Sequence, residues 1–310
     1  MVLPFTLQQL RIVKTIVVEK SFKTAAEVLF MSQPSVSKQV KLLENRLGIL
    51  LFDRSNRKIK LTEGGKLFLQ YADRTLSLCE ETCRALNDLK NGDRGNLTVG
   101  ASQTIGTYFV PRIIALFAKD YPQIKLNVEV DSTRIITKRV IDRDIDIALV
   151  GGQIPQELNK KLEIEIFAED ELSLIVPKSH PFVTNKLKII SKEDLYHLNF
   201  ITLSDTSTIR KFIDTILIQN KIEISQFNII MQLNSIEAIK TAVSLGLGVA
   251  FVSASAIEKE IKLDTIEVIN IENLKITRTL SIITNPECYR SKAFEFFHNE
   301  LVNLKNTNKK

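Results

Sequence analysis

The stretch TAAEVLFMSQPSVSKQVKLLENRLG, Thr24 to Gly48, begins as one helical pattern. It breaks at Met31-Ser32-Gln33-Pro34 and resumes as a longer amphipathic helix. At the α-helical step of about 100° per residue, Val36, Val40, Leu43 and Leu47 share one narrow apolar stripe. Pro34, Lys38, Lys41 and Asn45 lie opposite, with Ser35 and Ser37 on the flanks. Ser32 suits an N-cap, Pro34 is tolerated in the first turn, and Gly48 suits the residue that ends a helix. Upstream, Ala25 and Ala26 are small enough for two helices to approach closely. Two short helices joined by a tight turn, the second with a polar outer face, predict a helix-turn-helix. Gln33 to Lys38 then form the exposed first turn, where such helices meet base edges in a major groove.

The next segment, LFDRSNRKIKLT (51–62), clusters Arg54, Arg57, Lys58 and Lys60 around the turn pair Ser55-Asn56, between apolar residues. It reads as a β-wing with basic edges, suited to a narrow minor groove or to phosphates. Charge agrees. Residues 1–66 hold twelve Lys and Arg against five Asp and Glu, a net +7, while the whole chain carries +6. The remainder is therefore close to neutral, and a polyanion partner is expected for the first module alone.

From Thr62 to about Lys90 the pattern is one long helix. Leu69, Ala72, Leu76, Cys79, Cys83 and Leu86 follow alternating spacings of three and four, which predicts a seam for a partner helix and hence a dimer. NGDRGN (91–96) reads as a linker. Beyond it, strand, helix, strand, helix and strand over Leu97–Ala101, Thr104–Lys119, Ile124–Val130, Arg134–Ile141 and Ile145–Val150 predict a parallel βαβαβ unit. A second α/β series and a final helix, Ser291–Leu304, follow, which predicts two lobes around a cleft.

Composition bounds the rest. Hydrophobic residues at 44% and charged residues at 25% fit a globular protein with a sizeable core. No apolar run approaches the roughly 18 residues of a membrane span, and the first residues, MVLPFTLQQLRIVK, do not read as a secretory signal. Cys79, Cys83 and Cys288 make neither a disulfide framework nor a metal site, and a reducing compartment fits. His180, His197 and His298 have no nucleophile or metal-ligand neighbour at useful spacing, which argues against an enzyme. The missing secretory signal and the basic first module argue against a solute-binding protein.

The segment FKTAAEVLFMSQPSVSKQVKLLENRLGILLFDRSNRKIKLTEGGKLFL resembles the DNA-binding segment of LysR-type transcriptional regulators. The paired Ala, the S-Q-P run closed by Ser37, the basic residue with Gln39, the LE and LG pairs, LFDR and LTEG are all present. The resemblance covers the whole chain. It implies a winged helix-turn-helix over 1–61, a linker and dimerisation helix over 62–91 and a two-lobed, periplasmic-binding-protein-like α/β effector domain over 92–310. Lobe I is expected at about 92–161 and 267–310, and lobe II at about 162–266. By the same resemblance Gln33, Pro34, Ser35, Ser37 and Lys38 read promoter DNA, and Arg54 or Arg57 serves the wing. The family often carries Arg where this chain has Lys38, and Lys lacks the bidentate fork for guanine.

The resemblance further implies a homodimer or a dimer of dimers, no membrane association, no tightly held cofactor, and a small-molecule effector: an anionic metabolite, phosphorylated, or NADPH. Strand ends aim Ser102, Gln103, Thr104, Ser132 and Thr133 at the cleft from one lobe, and Thr202 and Ser204 from the other. Hydroxyls and free N–H groups at helix N-termini suit an anion, and Arg134 adds charge. With no Cys between Cys83 and Cys288, a peroxide-sensing thiol pair is not expected. Within the family, LPFTLQQLRIVKTI, LCEETCRAL, VGASQTIGTYFVPRIIALF and GGQIPQELNKKLEI are similar to the branch regulating carbon-fixation genes in cyanobacteria and red-lineage plastids. Branches serving nitrate assimilation or inorganic-carbon uptake are similar over much of the chain. The abundance of Ile, Lys and Asn fits an AT-rich plastid genome and a place in the plastid stroma, with the bacterial cytoplasm as the alternative.

Overall fold

The computed structural model describes residues 3–53, 59–91 and 95–307. The chain divides into two compact units, Met1–Lys90 with Asp142–Asp144, and the rest of the chain from Asn91 onward.

In the first unit, α1 (Leu7–Glu19), α2 (Phe22–Val28) and α3 (Gln33–Leu47) pack together. They are followed by β1 (Phe52–Asp53), β2 (Lys60–Leu61) and α4 (Glu63–Asn91). The core is the apolar stripe of α3 against Ala25 and Ala26 of α2 and Ile12, Val13 and Ile16 of α1. Ser32 caps α3 by accepting the Ser35 N–H at 3.3 Å, and Gly48 closes it at φ 69°. The strands β1 and β2 pair Phe52 with Leu61 and form the base of the wing.

One carboxylate joins helix to wing. Glu44 Oε1 accepts the backbone N–H groups of Leu51 and Phe52 at 2.8 and 3.3 Å, and Glu44 is 3% exposed. Thr62 donates its hydroxyl to the Leu50 carbonyl at 2.6 Å and accepts the Gly65 N–H at 2.9 Å, which caps α4. A side chain at Gly65 would collide with the Leu51 carbonyl oxygen, so only glycine permits this approach.

The long helix α4 has 29 residues. The expected partner seam is partly used at home. Leu69 packs on the helix-turn-helix core, and Ala72 and Leu76 are buried against Leu10, with Phe5 and Phe68 beside them. Cys83 and Leu86 are exposed, while the apolar side chains that α4 leaves open nearer its start are Leu67, Tyr71 and Leu78. At Ala72 and Leu76 the spacing is met by α1, a helix of the same chain.

The second unit contains β3 (Gly95–Ser102), α5 (Gln103–Tyr108), α6 (Val110–Asp120), β4 (Ile124–Asp131), α7 (Thr133–Ile141), β5 (Ile147–Gly151), α8 (Gln156–Asn159) and β6 (Glu163–Pro177). Next come α9 (Pro181–Thr184), β7 (Ile189–Ile190), β8 (Asn199–Leu203), α10 (Thr208–Gln219), β9 (Asn228–Leu233) and α11 (Ile236–Ser244). The unit closes with β10 (Ala250–Ser253), α12 (Glu258–Lys262), β11 (Ile266–Ile271), β12 (Thr277–Thr284) and α13 (Lys292–Thr307). The order β4-β3-β5-β12-β6-β11-β7 runs through both lobes, with β10 also on β6 and a separate parallel pair β8-β9.

The βαβαβ unit is parallel, as its pattern requires: β3 pairs β4 and β5 in parallel. Its first predicted helix is two, α5 and α6, broken at Phe109. Pro111 has no N–H to return to the carbonyl four residues back. The strand β6 crosses between lobes, its first half on β12 and its second on β10 and β11. Ile269 and Ile271 of β11 belong to the lobe II core, so the return crossing falls after β11, later than the expected residue 267. Among the described residues no helix is long and apolar enough to cross a membrane.

Replacing Glu44 by Ala leaves two buried N–H groups without their acceptor and should cost about 2–4 kcal/mol, whereas Glu44→Gln keeps an acceptor oxygen and should cost less. Denaturant unfolding of the full chain checks this. Equal midpoints for Glu44→Ala and the parent would remove Glu44 from this role.

Candidate functional site: a reading helix and an interlobe cleft

The first unit presents one polar face. Gln33, Pro34, Ser35, Ser37, Lys38, Lys41 and Asn45 are all exposed, while Val36, Val40 and Leu43 on the same helix are buried. The Ser35 hydroxyl lies 2.8 Å from that of Ser32, so this pair is preorganised at the helix start. The start of this 15-residue helix carries the positive end of its dipole, while Pro34 lacks an N–H and the Ser35 and Val36 N–H groups are taken up by Ser32. Gln39 is turned inward and accepts a hydrogen bond from Gln9 at 3.1 Å, which ties the reading helix to α1. Arg54 and Arg57 lie outside the described residues.

The second unit holds a cleft of about 270 Å³. Ser102, Gln103, Thr104, Ser132, Thr133 and Gly151 line it from lobe I, and Ser204, Thr206, Ser207, Thr208 and Asn234 from lobe II. The N-terminus of α7 opens on it at Ser132–Thr133, and that of α10 at Ser207–Thr208. No lining residue carries a carboxylate. Two of the hydroxyls are held by the backbone of one residue: Ser102 accepts the Gly151 N–H at 3.2 Å, and Thr133 donates to the Gly151 carbonyl at 3.4 Å. The Thr104 hydroxyl oxygen is buried without a hydrogen-bond partner among the described residues. It is the lining hydroxyl most in need of one. The chemistry is that of a receptor for a small anionic or hydroxylated molecule held by neutral donors.

Two expected residues lie elsewhere. Thr202 faces a smaller apolar cavity in lobe II with Phe200, Arg210, Ile213 and Phe251, a space of about 20 Å³ that holds no more than a water. It stands inside β8, where the register shifts between Phe200 and Ile201 and both of those residues are buried. Arg134 is exposed and pairs with Glu157 at 2.9 Å, away from the cleft lining.

Arg278 was not anticipated, and it is the one charged residue in the lining. It sits on β12 directly opposite Asp170 on β6, and the two side chains meet at 2.7 Å with 3% and 2% exposure. Ser253 of β10 donates to the other Asp170 oxygen at 2.6 Å. This network pins strands at the crossing between lobes. Its cation is neutralised before any ligand arrives. In the pattern ITRTLSIIT, Arg278 alternates with β-formers like any outward residue of a half-exposed strand. Only the pairing with Asp170, 108 residues away, reveals that it is buried.

Away from the crossing strands, two further contacts bridge the lobes. The Tyr108 hydroxyl donates to Glu237 at 2.5 Å, and Arg112 makes a bidentate pair with Glu258 at 2.9 and 2.6 Å. Burial, then the neighbouring Glu237, holds the Tyr108 hydroxyl above its ordinary pKa. Lys240, 3% exposed, lies over the Tyr108 ring and pairs with Glu237 and Glu260.

Comparison with known proteins adds the following. Residues 7–66 match the family model for the bacterial regulatory helix-turn-helix protein of the lysR family, and residues 90–304 match the LysR substrate binding domain. The chain is 70% identical over 306 residues to a probable RuBisCO transcriptional regulator of Thalassiosira pseudonana, covering 99% of this chain and 100% of that protein. It is 55% identical over 302 residues to one of Porphyra purpurea, covering 97% and 95%. Among solved structures, a full-length OxyR variant from Pseudomonas aeruginosa superposes with a TM-score of 0.70 at 24% identity, covering 96% of this chain and 94% of that one. Full-length CbnR complexed with its target DNA gives 0.70 at 21%, covering 96% and 99%; at these identities the likeness concerns the fold.

Removing Asp170 strands the Arg278 cation inside the protein. Asp170→Ala should therefore cost about 3–5 kcal/mol, read by denaturant unfolding of the full chain. The Asp170→Ala/Arg278→Met double variant should recover most of that loss. A single variant as stable as the parent would show that the pair does not hold the crossing.

Proposed function

The chain belongs to the LysR-type family of DNA-binding transcriptional regulators, which are not enzymes, and from that premise we propose that it controls carbon-fixation genes, those of ribulose-bisphosphate carboxylase first. The observation that carries this reading is the 70% identity along essentially the whole length to a probable RuBisCO transcriptional regulator. It extends through both the reading helix and the cleft. In this reading the exposed first turn of α3, with Gln33, Pro34, Ser35, Ser37 and Lys38, reads the major groove, and Arg54 or Arg57 of the wing reaches the backbone or the minor groove. The chain acts as a homodimer or a dimer of dimers, with Leu67, Tyr71 and Leu78 of α4 offered to the partner, and works in the plastid stroma.

The effector is a small anionic metabolite, phosphorylated, or NADPH, held by Ser102, Gln103, Thr104, Ser132 and Thr133 facing the start of α10. An anion there is met by N–H groups at two helix starts and by hydroxyls. A ligand that bridges the lobes favours one lobe arrangement over another by its differential affinity, and this couples cleft to operator.

Three measurements test the reading. Genome-wide mapping of bound DNA should place the protein at promoters of carboxylase genes; occupancy confined to nitrogen-assimilation promoters would move it to another branch of the family. Lys38→Ala should weaken binding to the mapped operator, and if Lys38 contacts phosphate the slope of log affinity against log salt should fall by about one. Intact binding would remove Lys38 from the contact set. For the cleft, calorimetric titration of NADPH and phosphorylated sugars into the Ser102→Ala and Thr104→Val variants should show weakened uptake. Parent-like affinities in both would displace the effector from this cleft.

A further inference from the structure

Phe30, in the turn between α2 and α3, is 97% exposed, the most exposed large apolar side chain among the described residues. Its backbone lies at φ 54°, in the left-handed region that bulky L-residues avoid. The turn needs such a residue: the Phe30 N–H returns to the Glu27 carbonyl at 3.1 Å and the Met31 N–H to that of Ala26 at 2.8 Å. Asn or Gly would supply that conformation with less strain and without an apolar ring in water. The other phenylalanines of this unit are used differently. Phe5 packs edge-on against Phe68 and Phe22 against Phe52, while Phe30 belongs to none of the apolar clusters. Phe30 thus carries two local costs with no local return, and such outliers cluster where a partner is met.

Its position names the partner. Phe30 stands two residues before the N-cap Ser32 and three before Gln33, in the turn that leads directly into the exposed start of the reading helix. The ring carries no charge and offers a phosphate nothing. The apolar feature a duplex displays in the major groove is the thymine 5-methyl group. We infer that Phe30 is a specificity-determining residue whose ring contacts a thymine methyl at the edge of the base steps read by α3.

The test uses the full chain and a duplex that this chain selects from a random-sequence pool, so it does not depend on which promoters are regulated. Phe30→Asn should unfold at a higher temperature than the parent, because Asn tolerates the left-handed turn, yet bind the selected duplex about tenfold more weakly. The slope of log affinity against log salt should be unchanged, because no charge is lost. Replacing thymines by deoxyuridine one at a time should reveal a position that weakens the parent about tenfold and leaves Phe30→Asn unaffected. Equal affinity of parent and variant overturns the inference, as does a parent indifferent to every replacement. A variant that unfolds earlier than the parent makes the ring structural and overturns it too. Unchanged duplex affinity with an altered oligomeric state would assign the ring to a protein contact instead.

Discussion

The reading head depends on a buried carboxylate. Glu44 lies on the inner face of α3, one turn before the helix ends, and accepts two backbone N–H groups from the strand that starts the wing. A carboxylate taken out of water is costly unless its lone pairs are used. Here that requirement fixes geometry: α3 and the wing cannot reorient without stranding either the carboxylate or the two N–H groups. Gly48 makes the left-handed turn that brings residues 49–52 back onto the helix. Thr62 and Gly65 then seat the start of α4 on the same loop. The LE, LG, LF and LTEG pairs that mark the family are therefore one physical joint. These landmarks hold the helix to the base of the wing, and the exposed residues of α3 are left to face outward.

The effector unit applies the same device to its crossing strands. Asp170 and Arg278 face each other in register on β6 and β12, and Ser253 joins from β10. A buried pair of this kind gives little net stability against an apolar substitute, but it penalises every arrangement in which the strands slip. Because the cation is already neutralised, a ligand in the cleft meets hydroxyls, amides and the starts of two helices. Such a site holds a charge with dipoles that are fixed beforehand and need no reorganisation.

How far the sequence was legible follows from which signals are local. The reading helix was legible in detail because its stripe, its cap and its terminal glycine lie close together in the chain, from Ser32 to Gly48. The parallel βαβαβ order was legible because alternating periods of two and near four lie end to end, and the strand ends of lobe I led directly to Ser102, Gln103, Thr104, Ser132 and Thr133 in the lining. Three features were not. The α4 seam has regular spacing, yet spacing does not say whether the covering helix comes from the same chain, and α1 covers Ala72 and Leu76. Thr202 is a strand-end threonine by position, but β8 shifts register between Phe200 and Ile201, and Thr202 lines the small lobe II cavity with them. Arg278 looks like a solvent-facing charge until Asp170 is found across the strand. In each case the deciding neighbour is distant in sequence, and periodicity carries no information about it.

The two ligands proposed for this chain are both anionic, and the molecule meets them with different physics. For the duplex, residues 1–66 carry a positive excess, with Lys38 and Lys41 on the exposed face of α3, where attraction is long-ranged, fast and strongly screened by salt. For the effector, the donors are N–H groups and hydroxyls lining a cleft, with Ser102, Thr104 and Thr133 among the buried residues, where screening by mobile ions is weak. The affinity of the cleft is therefore set by local geometry, and that of the reading head by geometry plus ionic conditions. On the proposed reading, a change of ionic strength moves DNA binding more than it moves effector binding. On that same reading, a ligand in the cleft leaves the charge of the helix-turn-helix side chains unchanged, so its signal is one of geometry and not of charge.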